Sequence, residues 1–406
     1  MSLFDEFTAP SRIFQSSRDV LRPSYVPERL LHREKQLKQL ASIFSTALKG
    51  ERPSNVLLFG KPGTGKTASA KLIGRELVKE TQGRHEVRFA HVNCEVTDTV
   101  YGVLLGVGNA ISDASEGRIP WTGVSTDRAY SVLRDHLDSS PRVVVVVLDE
   151  VDRLVKRGGG SVLYQLSRIN EDLKRSSLSM ICISNDLKFQ DDLDARVVSS
   201  LGSERTLFPP YNGGELRDIL KDRADLAFRE GSVASNILSL CSAQAAQEHG
   251  DARRALELLR VAAEIAERNA ADEVTEDDVY AAKNTIESDM VAGAIRTLPK
   301  HSRLVLLSIV LRGKGDTATT GDVYETYRNL CKRAGIGSLT QRRVADFISE
   351  LELLGLIRAS VRSFGRGGRT RVIQPTISTD DAIKVLDEDE LLRELRKGAG
   401  SQSRFM

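Results

Sequence analysis

The sequence predicts an α/β core built on a parallel sheet, then an all-helical region, then a small basic α+β domain. Three observations predict it. Short apolar runs at 56–59, 87–92, 143–148 and 180–184 alternate with helical patterns, the mark of βαβ units. After Pro209-Pro210 the strand pattern stops, and residues 214–288 read as helices. Beyond about Ala294, three helical patterns are followed by two short runs flanking a glycine-rich turn.

Residues 1–24, with Pro10 and Pro23, read as an irregular arm. Apolar residues at helical spacing predict a helix over 28–48. Val143 to Val147 are five consecutive valines, and a strand apolar on both faces belongs inside a parallel sheet. In the helical region one helix begins near Glu215, another follows Gly250 with Asp251 as N-cap, and a last opens at Thr275 with acids in its first turn. The third region shows helices at 301–312, 320–334 and 339–354, the last opened by a capping box at Ser338–Gln341 and stopped by Gly355. Runs at 356–362 and 369–373 then form a hairpin, and three helices plus a hairpin make a winged helix. The expected limits are an arm at 1–24, a core at 25–210, a helical lid at 211–290, a winged helix at 294–378 and a frayed polar tail at 379–406.

Bulk properties narrow the function. With 406 residues, 40% hydrophobic and 28% charged, the chain has an ordinary globular composition. No apolar run reaches the roughly 18 residues of a membrane span. The N-terminus carries Asp5 and Glu6 and shows no apolar signal region, so the expected location is cytoplasmic, at the nucleoid. Cys94, Cys182, Cys241 and Cys331 are far apart and read as reduced, buried thiols rather than a metal site. The net charge is only +2, yet residues 291–371 hold 15 Lys and Arg against 6 Asp and Glu. Such asymmetry fits either a surface meeting a polyanion or a merely solvated face.

Gly60-Lys-Pro62-Gly63-Thr64-Gly65-Lys66-Thr67 follows a predicted strand and opens a predicted helix, the context in which GxxxxGK[ST] cradles phosphates. The glycines let backbone N–H groups face phosphate oxygens, and the helix N-terminus adds a favourable dipole. Lys66 can reach the β- and γ-phosphates, and Thr67 can ligate Mg²⁺. Asp149 and Glu150, at the end of the valine strand, complete the site. Asp149 would hold Mg²⁺ through water, and Glu150 would orient and deprotonate an attacking water. Asn185 ends the next strand, where an amide can bond both γ-phosphate and water, although Asn also commonly starts a turn.

These motifs resemble the AAA+ family and, more narrowly, archaeal replication initiators related to eukaryotic origin-recognition subunits. The resemblance runs from about residue 12 to 375. It rests on YVPERLLHREKQL (25–37), GKPGTGKT (60–67), VLDEVD (147–152), ISND (183–186), LDARVVSSLG (193–202), FPPYNGGEL (208–216), GDARRAL (250–256) and GLIRASVRSFGRGGRTR (355–371). It implies an adenine pocket bordered by residues 25–33, Val26 and Arg33 among them. It implies nucleotide contacts from Tyr211 and Arg223, an arginine finger at Arg196 directed to a neighbouring subunit, and a lid sensor at Arg253. It also implies a DNA-touching insertion around residues 117–123, with Arg118 and Trp121, the single Trp. Trp121 fits core packing as well as DNA contact.

The winged helix gives the basic charge a purpose. Thr340, Arg342 and Arg343 lie at the start of the helix that enters the major groove in helix-turn-helix proteins. Arg358, Arg362, Arg366, Arg369 and Arg371 lie on the hairpin, where they can meet phosphates or a minor groove. The expected function is an ATP/ADP-switched replication initiator with slow ATP hydrolysis. Its expected partners are double-stranded origin DNA, other initiator subunits and the replicative helicase, with no membrane. An ATPase motor and an ATP-sensing transcription regulator are the rivals.

Overall fold

Parallel strand pairing organises the first part of the chain. In the computed structural model, residues 11–15, 17–112, 118–120, 122–202, 204–312, 318–363 and 369–400 are described, without the side chains of 362, 363, 369, 399 and 400. The chain divides into two units, Met1–Tyr280 and Ala281–Met406.

The first unit begins with α1 (Glu34–Phe44), β1 (Val56–Phe59), α2 (Lys66–Thr81), β2 (Glu86–Asn93), α3 (Val100–Ile111) and α4 (Thr126–Leu137). It continues with β3 (Arg142–Asp149), α5 (Val151–Lys156), α6 (Ser161–Arg168), β4 (Ser177–Ser184), α7 (Ala195–Leu201) and β5 (Glu204–Leu207). The sheet order is β2-β3-β4-β1-β5, every pair parallel. All eight residues of β3 are buried, as expected of an interior parallel strand. Strand β5 was not expected from the sequence. Its four residues, Glu-Arg-Thr-Leu, lie at the sheet edge with only Thr206 buried, so no apolar run marks them.

The predicted helix over 28–48 is shorter. It starts at Glu34, after His32 in a left-handed conformation, and ends in a 3-10 turn, Ser45–Lys49. Residues before it line a cleft instead, so tertiary packing overrides helical periodicity. The lid follows as α8 (Gly213–Ala227), α9 (Ser235–Gln247), α10 (Ala252–Arg268) and α11 (Glu276–Thr297), which contains the unit boundary. Asn212 and Glu215 form a capping box on α8, and Asp251 caps α10 by accepting from the N–H groups of Arg253 and Arg254. The arm is ordered where described. Phe14 pairs with Phe228, and Ile13 and Leu21 are fully buried.

The second unit holds α12 (Lys300–Arg312), β6 (Ala318–Thr319), α13 (Thr320–Arg333), α14 (Gln341–Leu353), β7 (Ile357–Ser363) and β8 (Arg369–Pro375). The antiparallel sheet runs β6-β8-β7. The cap of α14 is Thr340, which accepts from Arg343 N, not the Ser338 capping box expected. Gly355, at φ +71, stops the helix, with Leu356 N bonded back to Leu351 O. The tail is not frayed over its described part. It forms α15 (Thr379–Leu386) and α16 (Glu390–Gly400), and Leu386, Leu392 and Leu395 are buried in the winged-helix core. Their spacing within an acidic stretch hid this apolar stripe.

Candidate nucleotide site and DNA-facing surfaces

The phosphate loop spans the gap between β1 and α2. Its backbone is left-handed at Gly63 (φ +69) and Gly65 (φ +89). A Cβ on Gly63 would fall 1.6 Å from Asp251 Oδ1, and one on Gly65 would fall 2.8 Å from the Tyr211 hydroxyl. Glycine is required at both positions by conformation and by crowding. The Lys66 ammonium donates to Gly60 O (2.7 Å), Lys61 O (2.7 Å) and Asn185 Oδ1 (2.9 Å). Burial, reinforced by the Arg253 charge and opposed by Asp149, Asp152 and Asp251, pulls its pKa down to about 8.

Asp149 ends β3 and accepts from Thr67 Oγ1 at 2.8 Å, so the two expected Mg²⁺ ligands are adjacent. Burial works to raise its pKa, but hydrogen bonds from His91 and Thr67 and the charges of His91 and Arg253 hold it below the usual value. His91 Nε2 lies 3.3 Å from Asp149 Oδ2. Glu150 sits at φ +56, a strained backbone for a residue with a Cβ. Burial, then the neighbouring Glu95, then Asp149 raise its pKa, the direction that suits a general base. Buried Asp152 accepts from Ser184 Oγ (3.1 Å) and Asn185 N (3.2 Å), which holds Asn185 at the end of β4.

A cleft of about 840 Å³, its open mouth included, lies between this loop and the lid. Tyr25, Val26, Leu30, Ile219, Arg223 and Arg253 are among the residues lining it. Arg223 is 6% exposed, lies 4.6 Å over the Tyr25 ring, and has Nε and Nη1 buried without a hydrogen-bond partner. Tyr211 is buried beside the loop. A glycine cradle, an apolar wall and inward cations fit a nucleoside polyphosphate. Arg33 differs from its expected place. It is 2% exposed and lies behind the loop, bonded to backbone carbonyls, rather than along the cleft.

Other site residues are placed as follows. Arg196 is exposed and held by both oxygens of Asp194 at 3.0 and 2.9 Å. Arg118 is exposed. Ile119, inside the insertion expected to touch DNA, is instead core: it is 1% exposed, and its backbone bonds both ends of the Asn109 amide. Trp121, Arg366 and the hairpin-tip glycines lie outside the described residues. Thr340, Arg342 and Arg358 are exposed. Arg343 is exposed too, 3.6 Å from Asp346 and 5.2 Å over the Phe347 ring. Arg371 is half-buried and donates to Ser349 on α14 at 2.7 Å, so part of its guanidinium ties the wing to the helix. Arg362 and Arg369 lie on paired strands opposite Thr370 and Ser363. The sequence reading missed His91, Glu95, Asp152 and Asp251. The register that sets Asn93 opposite Asp149 brings the first two to the site, and no local pattern announces it.

A parallel-sheet core with a phosphate loop, an acidic strand end and a helical lid, followed by a winged helix, defines the AAA+ class of ATPases. Family models agree: an AAA domain matches residues 49–190, a Cdc6 AAA+ ATPase-type lid domain 217–284, and a CDC6 C-terminal winged helix domain 293–385. The chain is 46% identical to ORC1-type DNA replication protein 1 of Methanosarcina mazei, over 97% of this chain and 95% of that one. It is also 46% identical to the ORC1-type DNA replication protein of Thermococcus onnurineus over the same shares. The Aeropyrum pernix ORC1 protein, solved in complex with DNA, matches with a TM-score of 0.85 and 43% identity, over 95% of this chain and 100% of that one. The chain belongs to the archaeal ORC1-type family of DNA replication initiators. Among the described residues, no helix is long and apolar enough to cross a membrane.

Proposed function

We propose that this chain binds double-stranded origin DNA, switches between ATP and ADP states with slow hydrolysis, and helps to load the replicative helicase. One observation carries the switch. Lys66 donates to Asn185, Asp149 accepts from Thr67, and the charge of the lid residue Arg253 acts on both Lys66 and Asp149, so a γ-phosphate there would be bonded by core and lid together. Losing it changes the contacts between them. Glu150 takes a proton from the attacking water, and Asn185 orients that water and the γ-phosphate. Thr67 and Asp149 would hold Mg²⁺, whose charge offsets that of the phosphates. Arg196, presented by the neighbouring subunit, would stabilise the transferred phosphoryl group.

The DNA-bound state of the Aeropyrum relative supports the DNA reading, as do the exposed cations Arg118, Arg342, Arg343 and Arg358. The wing arginines Arg362, Arg366, Arg369 and Arg371, with Thr340 and Trp121, complete the proposed interface. Selecting bound fragments from the source genome tests it. Recovery of one recurrent sequence class beside replication genes is the expected result. Recovery of scattered promoters would instead support a transcription regulator.

A further inference from the structure

Arg33 is the largest of the side chains that the first unit buries almost completely, and its three donor groups all end on backbone carbonyls. Its Nε donates to Thr64 O at 2.8 Å, Nη1 to His32 O at 2.8 Å and Nη2 to Pro209 O at 2.6 Å. The guanidinium carbon lies 3.6 Å from the centre of the Tyr211 ring. Burying a cation is costly, and this set of acceptors offsets the cost only while all of them stay in place.

Two of those acceptors matter beyond stability. Thr64 C=O and Gly65 N–H belong to one planar trans peptide, so they point in opposite directions. Arg33 pulls on the carbonyl from behind the loop and so turns the Gly65 N–H toward the phosphate side. Pro209 O belongs to the linker that leads directly into the lid. Its peptide ends on Pro210, which has no N–H, so the backbone itself offers this stretch little anchorage. Beyond it, Tyr211 N donates to Gly250 O at 3.3 Å, and Ala252 N returns to Gly63 O at 3.2 Å. The contacts close a ring: phosphate loop, Arg33, linker, lid turn, phosphate loop.

We infer that Arg33 is a positioning residue that links the phosphate loop to the core–lid linker, so that a phosphate bound at the Gly65 amide is felt at the lid through one buried guanidinium. This rests on the nucleotide-switch reading above. It gives Arg33 a role distinct from lining the cleft, since the side chain acts through the backbone of Thr64 and Pro209 and not on nucleotide.

Hydrogen exchange on the full chain, with and without MgADP, tests the link in wild type, Arg33→Met and Arg33→Lys. In wild type, nucleotide slows exchange both in the phosphate loop and in α8 and α10. In Arg33→Met, ADP affinity falls about tenfold, as expected for loss of one charged hydrogen bond that orients a phosphate ligand. At saturating ADP the loop is still protected, but the added protection of α8 and α10 is lost. Where Arg33→Met does not fold, Arg33→Lys is read instead; it keeps the charge but cannot span Thr64 O and Pro209 O together. Wild-type lid protection at saturation in the folded variants overturns the inference, because it leaves Arg33 a merely structural role. A wild-type chain that binds ADP without lid protection overturns it as well. A wild-type chain that binds no nucleotide defeats the switch reading instead.

Discussion

The nucleotide cleft and the winged-helix surface both depend on cations, yet they hold them in opposite ways. Around the phosphate loop, Lys66, Arg33 behind the loop and Arg223 in the cleft are 5%, 2% and 6% exposed, and their surroundings perturb them. On the winged helix, Arg342 and Arg358 stand exposed with no charged partner among the described residues. A buried cation acts in one fixed geometry, so single changes there should abolish a function. An exposed cation acts through field and counterion release, so changes there should grade it.

The sharpest way to break this contrast is at the strand end. Glu150→Gln removes the proton acceptor and keeps the shape. Hydrolysis should fall by about 10²–10⁴-fold, the usual worth of general base catalysis, while ADP and ATP still bind. Single-turnover hydrolysis beside a binding titration measures both. Wild-type hydrolysis in the Gln variant would remove Glu150 from the mechanism.

The exposed side should respond by degrees. Arg342→Ala and Arg358→Ala together should weaken binding to specific and random duplexes alike. The slope of log K against log salt should flatten by roughly one to two units, at about 0.9 per lost phosphate contact. A salt titration that leaves slope and affinity unchanged would show that these arginines do not face DNA.

How much of this was legible depended on distance along the chain. The phosphate loop, Asp149-Glu150 and Asn185 were readable because each is a short motif at a strand end, and four of the five parallel strands announced themselves by apolar runs. What stayed hidden was set by pairing and packing between distant segments. His91 reaches Asp149 only through the β2–β3 register, and Asp251 reaches Gly63 only because the lid turns back on the loop. Arg33 was readable as important but not in its role, since two of its three acceptors lie 31 and 176 residues away. Ile119 misled for the converse reason: beside Pro120 it reads as part of an exposed loop, and only the Asn109 amide and the core behind it make it buried.

A gentler test of the buried side uses pH. Burial lowers the Lys66 pKa to about 8, and bound phosphates would raise it again by favouring the charged form. Binding then takes up a proton above that pH. Affinity for ADP should be flat below about pH 8 and fall above it, by at most tenfold per pH unit. The fall should stop once the pH passes the pKa of the bound state. Lys66→Arg, which stays charged, should remove the dependence. A wild-type affinity that is constant to pH 10 would show that the ammonium is not perturbed in this way.

The smallest expected effect lies at Thr340, where the two ways of using a side chain overlap. Its hydroxyl caps α14 by accepting from Arg343 N, a long contact of 3.4 Å, yet the residue is exposed at the end of the helix proposed to meet DNA. Thr340→Ala should cost about 1 kcal/mol of local stability, seen as roughly fivefold faster hydrogen exchange in the first turn of α14. Thr340→Asp keeps a capping oxygen and adds a favourable charge at a helix N-terminus, so exchange should stay slow. That same charge would face the phosphates, so DNA binding should weaken in the Asp variant more than in the Ala variant. The ranking separates the roles: a pure cap predicts that binding follows exchange, Ala worse than Asp, whereas a DNA-facing position predicts the reverse. If both variants bound DNA as wild type does, the start of α14 would not lie against the duplex, and the wing alone would have to carry the contact.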